Sequence, residues 1–172
     1  MERRTNVGFT LLELVTVLVI IGLLVAMIFP AVQSMQQRME KAKCIANLRG
    51  LSLGVNSYVQ LEGHWPQIDP KLIKSDYPQY AREWIEALKP HGVSESVWIC
   101  PTIQKMLGAP DLKKRENTRA DYIGMPFDDH PFTPYKWPKQ PWFVERGAVH
   151  GNGSLIIFTN GTVREVNDMV SP

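Results

Sequence analysis

Cysteine is scarce in this chain of 172 residues: there are two, Cys44 and Cys100. No CxxC pair and no Cys/His zinc spacing accompanies them, which speaks against a structural metal site. The four histidines, His64, His91, His130 and His150, stand singly. No HExxH, P-loop or Rossmann glycine pattern occurs. No acid–base set can be assembled from that distribution, and neither cysteine has a companion marking it as a nucleophile, so no catalysis is expected. Charge of one sign is also lacking: the formal net charge is +2, with acids and bases interspersed, and nothing marks a nucleic-acid surface. Between Phe9 and Gln37 there is no Lys, Arg or His.

What fills that interval is apolar. Residues 9–29, FTLLELVTVLVIIGLLVAMIF, form a run whose helix spans about 30 Å, the thickness of a bilayer's hydrocarbon core. A buried helix in a soluble protein would need wrapping on every side, which the rest of so short a chain does not supply. The run carries one charge, Glu13. A carboxylate near the start of a membrane helix costs about 2–3 kcal/mol on insertion. Either Glu13 reaches the headgroups, or its counter-charge comes from elsewhere.

Ahead of the run stands MERRTNVG, with Arg3 and Arg4 before Gly8. The order of basic head, Gly8, Phe9 and then Glu13 resembles the class III signal of type IV pilins and type II secretion pseudopilins. The resemblance implies that a membrane peptidase cuts after Gly8 and that the new N-terminal Phe9 is methylated. It also implies that Glu13 of one subunit meets the N-terminal amine of a neighbour in a filament, and it fits Pro30, where the family's helix often bends. A buried acid then acts as a register device, satisfied only at the correct stagger. An ordinary secretory signal does not fit, because the run is too long and no small-residue cleavage site follows it. Arg3 and Arg4 place the N-terminus in the cytoplasm and the bulk outside. The expected organisation is leader (1–8), transmembrane helix (9–29), periplasmic continuation of that helix (30–62) and one globular head (63–172).

The helical pattern continues past Pro30 with two stripes. Val32, Met35, Met39, Ala42 and Ala46 share one face, assigned to neighbouring subunits. Ile45, Leu48, Ser52, Val55 and Val59 share another, assigned to the chain's own head; one gently twisting core stripe is the alternative. Gly63 to Pro66 end the helix. A second helix is expected over residues 79–88, with Tyr80, Trp84, Ile85 and Leu88 inward, closed by Pro90 and Gly92. Short strands are expected at 97–100 and 120–125, with a solvated basic loop at 102–119 between them. Pro126, Pro131, Pro134, Pro138 and Pro141, interleaved with Tyr135, Trp137 and Trp142, predict an irregular loop rather than sheet interior. Those aromatics either seal the loop onto the sheet or present it to a partner.

In an extracytoplasmic compartment Cys44 and Cys100 can pair, closing a loop of about 57 residues worth roughly 4 kcal/mol in the chain-entropy model. Two buried free thiols are the alternative. Asp128 and Asp129 are adjacent acids, and the pseudopilin resemblance implies a calcium site in a late loop; a plain hydrated turn is the other reading. No other cofactor is expected. In GSLIIFTNGTVREV, Asn160-Gly161 between two strand-like runs predicts a hairpin with a two-residue type I′ turn, its outer face kept wet by Arg164 and Glu165.

This end carries a second resemblance. His150, nine residues, then Asn160-Gly161 is similar to the His-x9-Asp-Gly signature of a large bacterial group of prepilin-type proteins. That group shares a CIANLR-like run after the membrane helix, here residues 44–49, and a Cys-Pro further on, here Cys100-Pro101. Asn160 replaces the signature's Asp. His150 itself reads as a residue capping the approach to the hairpin.

The fold class is therefore α+β and pilin-like, a long N-terminal helix packed on a small antiparallel sheet ending in a β-hairpin. The expected role is a structural subunit of a type II secretion pseudopilus or type IV pilus-like filament. Its partners would be other pilin subunits, the prepilin peptidase/methyltransferase, an inner-membrane assembly platform and membrane lipid. The competing reading is a signal-anchored periplasmic protein that binds a ligand or glycan through Trp65, Trp137 and Trp142 and never polymerises.

Overall fold

A computed structural model describes residues 10–110, 115–151 and 153–170. The chain divides into two compact units at Arg38/Met39. Helix α1 (Leu11–Glu62) crosses that boundary and has Pro30 inside it. Thr10 starts it with a capping box. The Glu13 N–H donates to Thr10 Oγ1 at 3.3 Å, while a Glu13 carboxylate oxygen accepts from the Thr10 N–H at 2.9 Å and its hydroxyl at 2.7 Å. In the first unit every described side chain, including those of residues 11–29, is exposed. The helix stops where Gly63 turns left-handed, φ +76°, and its N–H caps the Val59 carbonyl at 3.0 Å.

The second unit begins with the last turns of α1, where Cys44, Leu48, Leu51, Val55 and Val59 are buried. Of the two predicted stripes, Leu48, Ser52, Val55 and Val59 are buried and Ile45 half-buried, while Val32, Met35, Met39, Ala42 and Ala46 are exposed. After α2 (Leu72–Ser75) comes α3 (Tyr77–Leu88), which starts earlier than its apolar pattern implied. The Asp76 carboxylate accepts from the Gln79 N–H at 3.0 Å and Pro78 occupies the first turn, so polar residues, not hydrophobic ones, set the start. Tyr80, Trp84, Ile85 and Leu88 are all buried.

Residues 97–100 are not a strand. A 3₁₀ turn, Glu95–Trp98, leads through extended Ile99 and Cys100 into α4 (Pro101–Leu107), whose first position is taken by Pro101. Pro101 is pre-set for a helical φ, so a helix follows rather than a sheet ladder. The 102–119 stretch is correspondingly not all solvated loop: α4 and a 3₁₀ turn at Arg115–Asn117 lie within it, and Ile103 is buried. Thr102 Oγ1 donates to a Glu40 carboxylate oxygen at 3.0 Å and Lys105 pairs with the other, tying α4 to α1.

The sheet is a four-stranded antiparallel meander, β1 (Tyr122–Gly124), β2 (Pro141–Glu145), β3 (Leu155–Phe158) and β4 (Val163–Glu165), in that spatial order. Strand β2 overturns the reading of the Pro-rich stretch as loop throughout. Pro141 is its first residue, where a missing N–H is tolerated, and a register irregularity follows before Phe143. Central β2 joins Ile123↔Val144 on one side to Val144↔Ile156 on the other. The loop before it holds a 3₁₀ turn, Thr133–Tyr135, and Trp142 Nε1 donates to the Pro134 carbonyl at 2.9 Å. A short helix, α5 (Asn167–Val170), follows β4.

The C-terminal hairpin forms with a different turn. The Gly161 N–H donates to the Phe158 carbonyl at 2.8 Å, and the Phe158 N–H donates to the Thr162 carbonyl at 3.0 Å. That pattern is a three-residue loop, with Gly161 alone at positive φ, +75°. Asn160 acts through its side chain, accepting from the Thr162 N–H at 3.1 Å and hydroxyl at 2.7 Å. Glu165 is not on a wet face: it is buried and pairs with Lys41, while Arg164 is exposed.

Aromatic rings fill the centre of this unit. Trp84 lies 5.3 Å from Phe143 and 6.2 Å from both Trp65 and Trp98, centroid to centroid. Gly124 of β1 lies flat on the Trp84 indole, and a Cβ there would sit 2.2 Å from Cζ2. Neither the strand backbone nor a ring packed on several sides has room to yield. Gly124→Ala is therefore expected to destabilise the head by about 1–3 kcal/mol, measured by chemical denaturation.

Candidate functional site

Two features stand out from the scaffold, one in each unit. The first is the start of α1, where a helix long and apolar enough to cross a membrane carries its side chains exposed. Gly8 and Phe9, the expected processing positions, lie outside the described residues. Glu13 is not without a partner: the capping box already gives it two hydrogen bonds from Thr10. The Thr10-Leu11-Leu12-Glu13 spacing carried that signal.

The second feature is a buried cluster that the fold assembles from distant segments. Cys44 on α1 faces Cys100 at the cap of α4, Sγ to Sγ 2.7 Å, both thiols free and wholly buried. His150, in the connection between β2 and β3, places Nε2 3.7 Å from the Cys100 sulfur and 3.1 Å from a carboxylate oxygen of Glu145, the last residue of β2. The other Glu145 oxygen accepts from the Leu155 N–H at 3.4 Å. The four ligand atoms, two sulfur, one nitrogen and one oxygen, all lie within 4.8 Å of one another.

The surroundings fix this cluster. Asn47, one helical turn beyond Cys44, donates to the Ile99 carbonyl at 2.9 Å and to the Tyr122 hydroxyl at 3.3 Å. The Cys100 N–H donates to buried Asp121 at 2.9 Å, and Arg119 pairs with the other oxygen of Asp121 at 2.8 Å. The CIANLR run is thereby explained in part: residues 44 and 47 share a helix face and both reach the Ile99–Cys100 segment. Cys100 and His150 do have the companions that the linear pattern concealed. Sulfur contact with Cys44 pulls the Cys100 thiol down to about 6, burial opposing and His150 assisting. The same contact, with burial, pushes Cys44 up. At His150 burial works downward, but Cys100 and Glu145 outweigh it and lift the imidazole to about 9.

A Cys–His–Glu line has the outline of an activated nucleophile. The Glu145 and His150 side chains are buried, 0% and 3% exposed.

Asp128 and Asp129 are exposed, and Asp128 accepts from the His130 N–H at 3.2 Å in a local turn. Of the three tryptophans that motivated the glycan reading, Trp65 and Trp142 are fully buried, and Trp137 is exposed. The aromatics therefore seal the Pro-rich loop onto the sheet more than they present it. Glu145, Asn47 and Asp121 are the functional-site residues that sequence reading did not single out. Glu145 had no pattern to reveal it, whereas Asn47 stood inside a quoted motif.

A family model described as the prokaryotic N-terminal methylation motif matches residues 4–29. Among curated proteins the chain is similar to the type IV major pilin protein PilE1 of Neisseria gonorrhoeae, 30% identical over 81 residues, 47% of this chain and 38% of that protein. It is also similar to a fimbrial protein of Neisseria meningitidis serogroup B, 37% identical over 59 residues, 34% of this chain and 35% of that protein. The chain thus spans little more than a third of the length of the curated relatives it matches. No solved structure matches.

Proposed function

We propose that this chain is a type IV pilin-like protein, a structural subunit of a type II secretion pseudopilus or a type IV pilus-like filament; the methylation motif, the similarity to pilins and a helix long and apolar enough to cross a membrane support the reading. A prepilin peptidase/methyltransferase cuts it between Gly8 and Phe9. The single modest head favours the pseudopilin of the two. The observation that carries the reading is the methylation motif laid over a helix whose apolar side chains are exposed on every face. Such a surface is satisfied first by lipid and then, after extraction, by the same helices of neighbouring subunits. Arg3 and Arg4 keep the N-terminus cytoplasmic, so that the head is periplasmic before assembly. The exposed stripe of Val32, Met35 and Met39 extends the contact surface beyond the membrane.

The role is structural rather than catalytic. Mass spectrometry of the chain from a host with the processing enzyme is expected to show a methylated Phe9 as the first residue. An intact Met1 in that host overturns the proposal and favours the non-polymerising anchored reading, whose aromatic platform is reduced to Trp137. Cysteine crosslinking at Met35 and Met39 provides a second check, with subunit-to-subunit products expected in assembled filaments.

A further inference from the structure

We infer that Cys44, Cys100, His150 and Glu145 form a structural zinc site. The ligand set is two sulfurs, one imidazole nitrogen and one carboxylate oxygen, the mixture that Zn²⁺ accepts in four-coordinate sites closed to solvent. Each ligand comes from a different part of the fold: the membrane helix's last turns, the cap of α4, the end of β2 and the β2–β3 connection. A single ion would therefore tie helix, linker and sheet together at one point.

Geometry and burial support this assignment. Tetrahedral zinc, with bonds of about 2.0–2.3 Å, holds its ligand atoms roughly 3.3–3.8 Å apart. The nitrogen-to-sulfur separation of 3.7 Å and nitrogen-to-oxygen separation of 3.1 Å are already near those edges. The sulfurs, at 2.7 Å, need to spread by about 1 Å. A disulfide would use the sulfurs alone. It would leave a carboxylate and an imidazole sealed in the core beside a neutral bond, an ion pair whose desolvation is costly. A divalent cation engages all four ligands, its binding displacing the thiol and imidazolium protons to solvent. The supports are also those of a metal site: Asp121 holds the Cys100 backbone, Asn47 holds Ile99, and the Leu155 N–H orients the carboxylate.

The test uses the full chain in detergent micelles, reduced anaerobically, loaded with zinc chloride alone and desalted. One zinc per chain is expected, with X-ray absorption showing two sulfur ligands at about 2.3 Å and two nitrogen or oxygen ligands at about 2.0–2.2 Å. Cobalt substitution is expected to give the visible bands of a tetrahedral thiolate site. Removing one ligand should weaken zinc binding by more than about 100-fold, beyond the loss typical of a supporting residue. His150→Ala and the near-isosteric Glu145→Gln are the variants, each checked by circular dichroism for a retained fold. Zinc lost on desalting from the folded wild type overturns the inference, as does zinc retained undiminished by both variants. So does a chain isolated from its own compartment with Cys44 and Cys100 oxidised to a disulfide and no metal.

Discussion

Glu13→Ala is expected to abolish filament assembly while leaving membrane insertion intact. The carboxylate opposes insertion by about 2–3 kcal/mol, so the variant enters the bilayer at least as well as the natural chain. Assembly fares differently. On the proposed reading, processing at Gly8 would leave a cationic amine on Phe9, and in an apolar helix bundle that charge would need an anion. Between Glu2 and Glu40, Glu13 is the single acid. The capping box supplies a rival explanation, because Glu13 also steadies the first turn through Thr10. Glu13→Gln separates the two. Glutamine serves a capping box as well as glutamate does, but it carries no charge. Loss of sedimentable filament in both variants, with normal amounts in the membrane fraction, assigns the role to charge. Assembly restored by Gln reduces Glu13 to a helix start, and assembly undisturbed in both would falsify the register role.

The same residue shows what was legible in the sequence. The apolar run, its lone acid and the flanking Arg3, Arg4 and Gly8 are local in the chain, and local patterns carry a membrane helix and a processing signal without tertiary information. The inward face of α3 and the C-terminal hairpin were readable for the same reason: Tyr80, Trp84, Ile85 and Leu88 repeat at the helical period, and Asn160-Gly161 marks a turn. The turn's type was not, since Asn160 works by side-chain hydrogen bonds that a two-residue template does not include.

Strand β2 was hidden by its own punctuation. Pro141 and the prolines before it are loop signals, yet the strand begins at the one position where proline fits, and fully buried Trp142 and Phe143 follow. Residues 97–100 failed in the opposite direction, apolar enough for a strand but diverted into a helix by Pro101. The buried cluster was illegible for a third reason. Metal-site spacing rules describe ligands from one short hairpin or helix, whereas Cys44, Cys100 and His150 are brought together by long-range packing. Two of the quoted signatures, the CIANLR run and the Cys-Pro, meet the third only in the folded head.

Trp84→Ala is the substitution expected to cost the head most. The indole contacts Trp65, Tyr80, Trp98 and Phe143 and supports Gly124 of β1, so α3 and the sheet meet on it. Truncating a buried tryptophan costs about 3–5 kcal/mol, because the remaining rings cannot collapse into the space. Against a typical domain stability of about 5–15 kcal/mol, that is a large share of the whole. The position also makes a sharper statement than magnitude alone. Gly124→Ala is unfavourable only because the ring stands where the new methyl must go. With the ring absent the methyl enters empty space, so the double variant Trp84→Ala/Gly124→Ala should be more stable than the sum of the single losses predicts. The coupling should fall within the roughly 0.5–3 kcal/mol seen for residues in direct contact. Urea denaturation of the full chain in micelles, followed by circular dichroism so that the missing fluorophore does not matter, measures all four corners of the cycle. Additive losses would mean that Gly124 and this ring are not energetically coupled, and that α3 and β1 are not held in register by the ring.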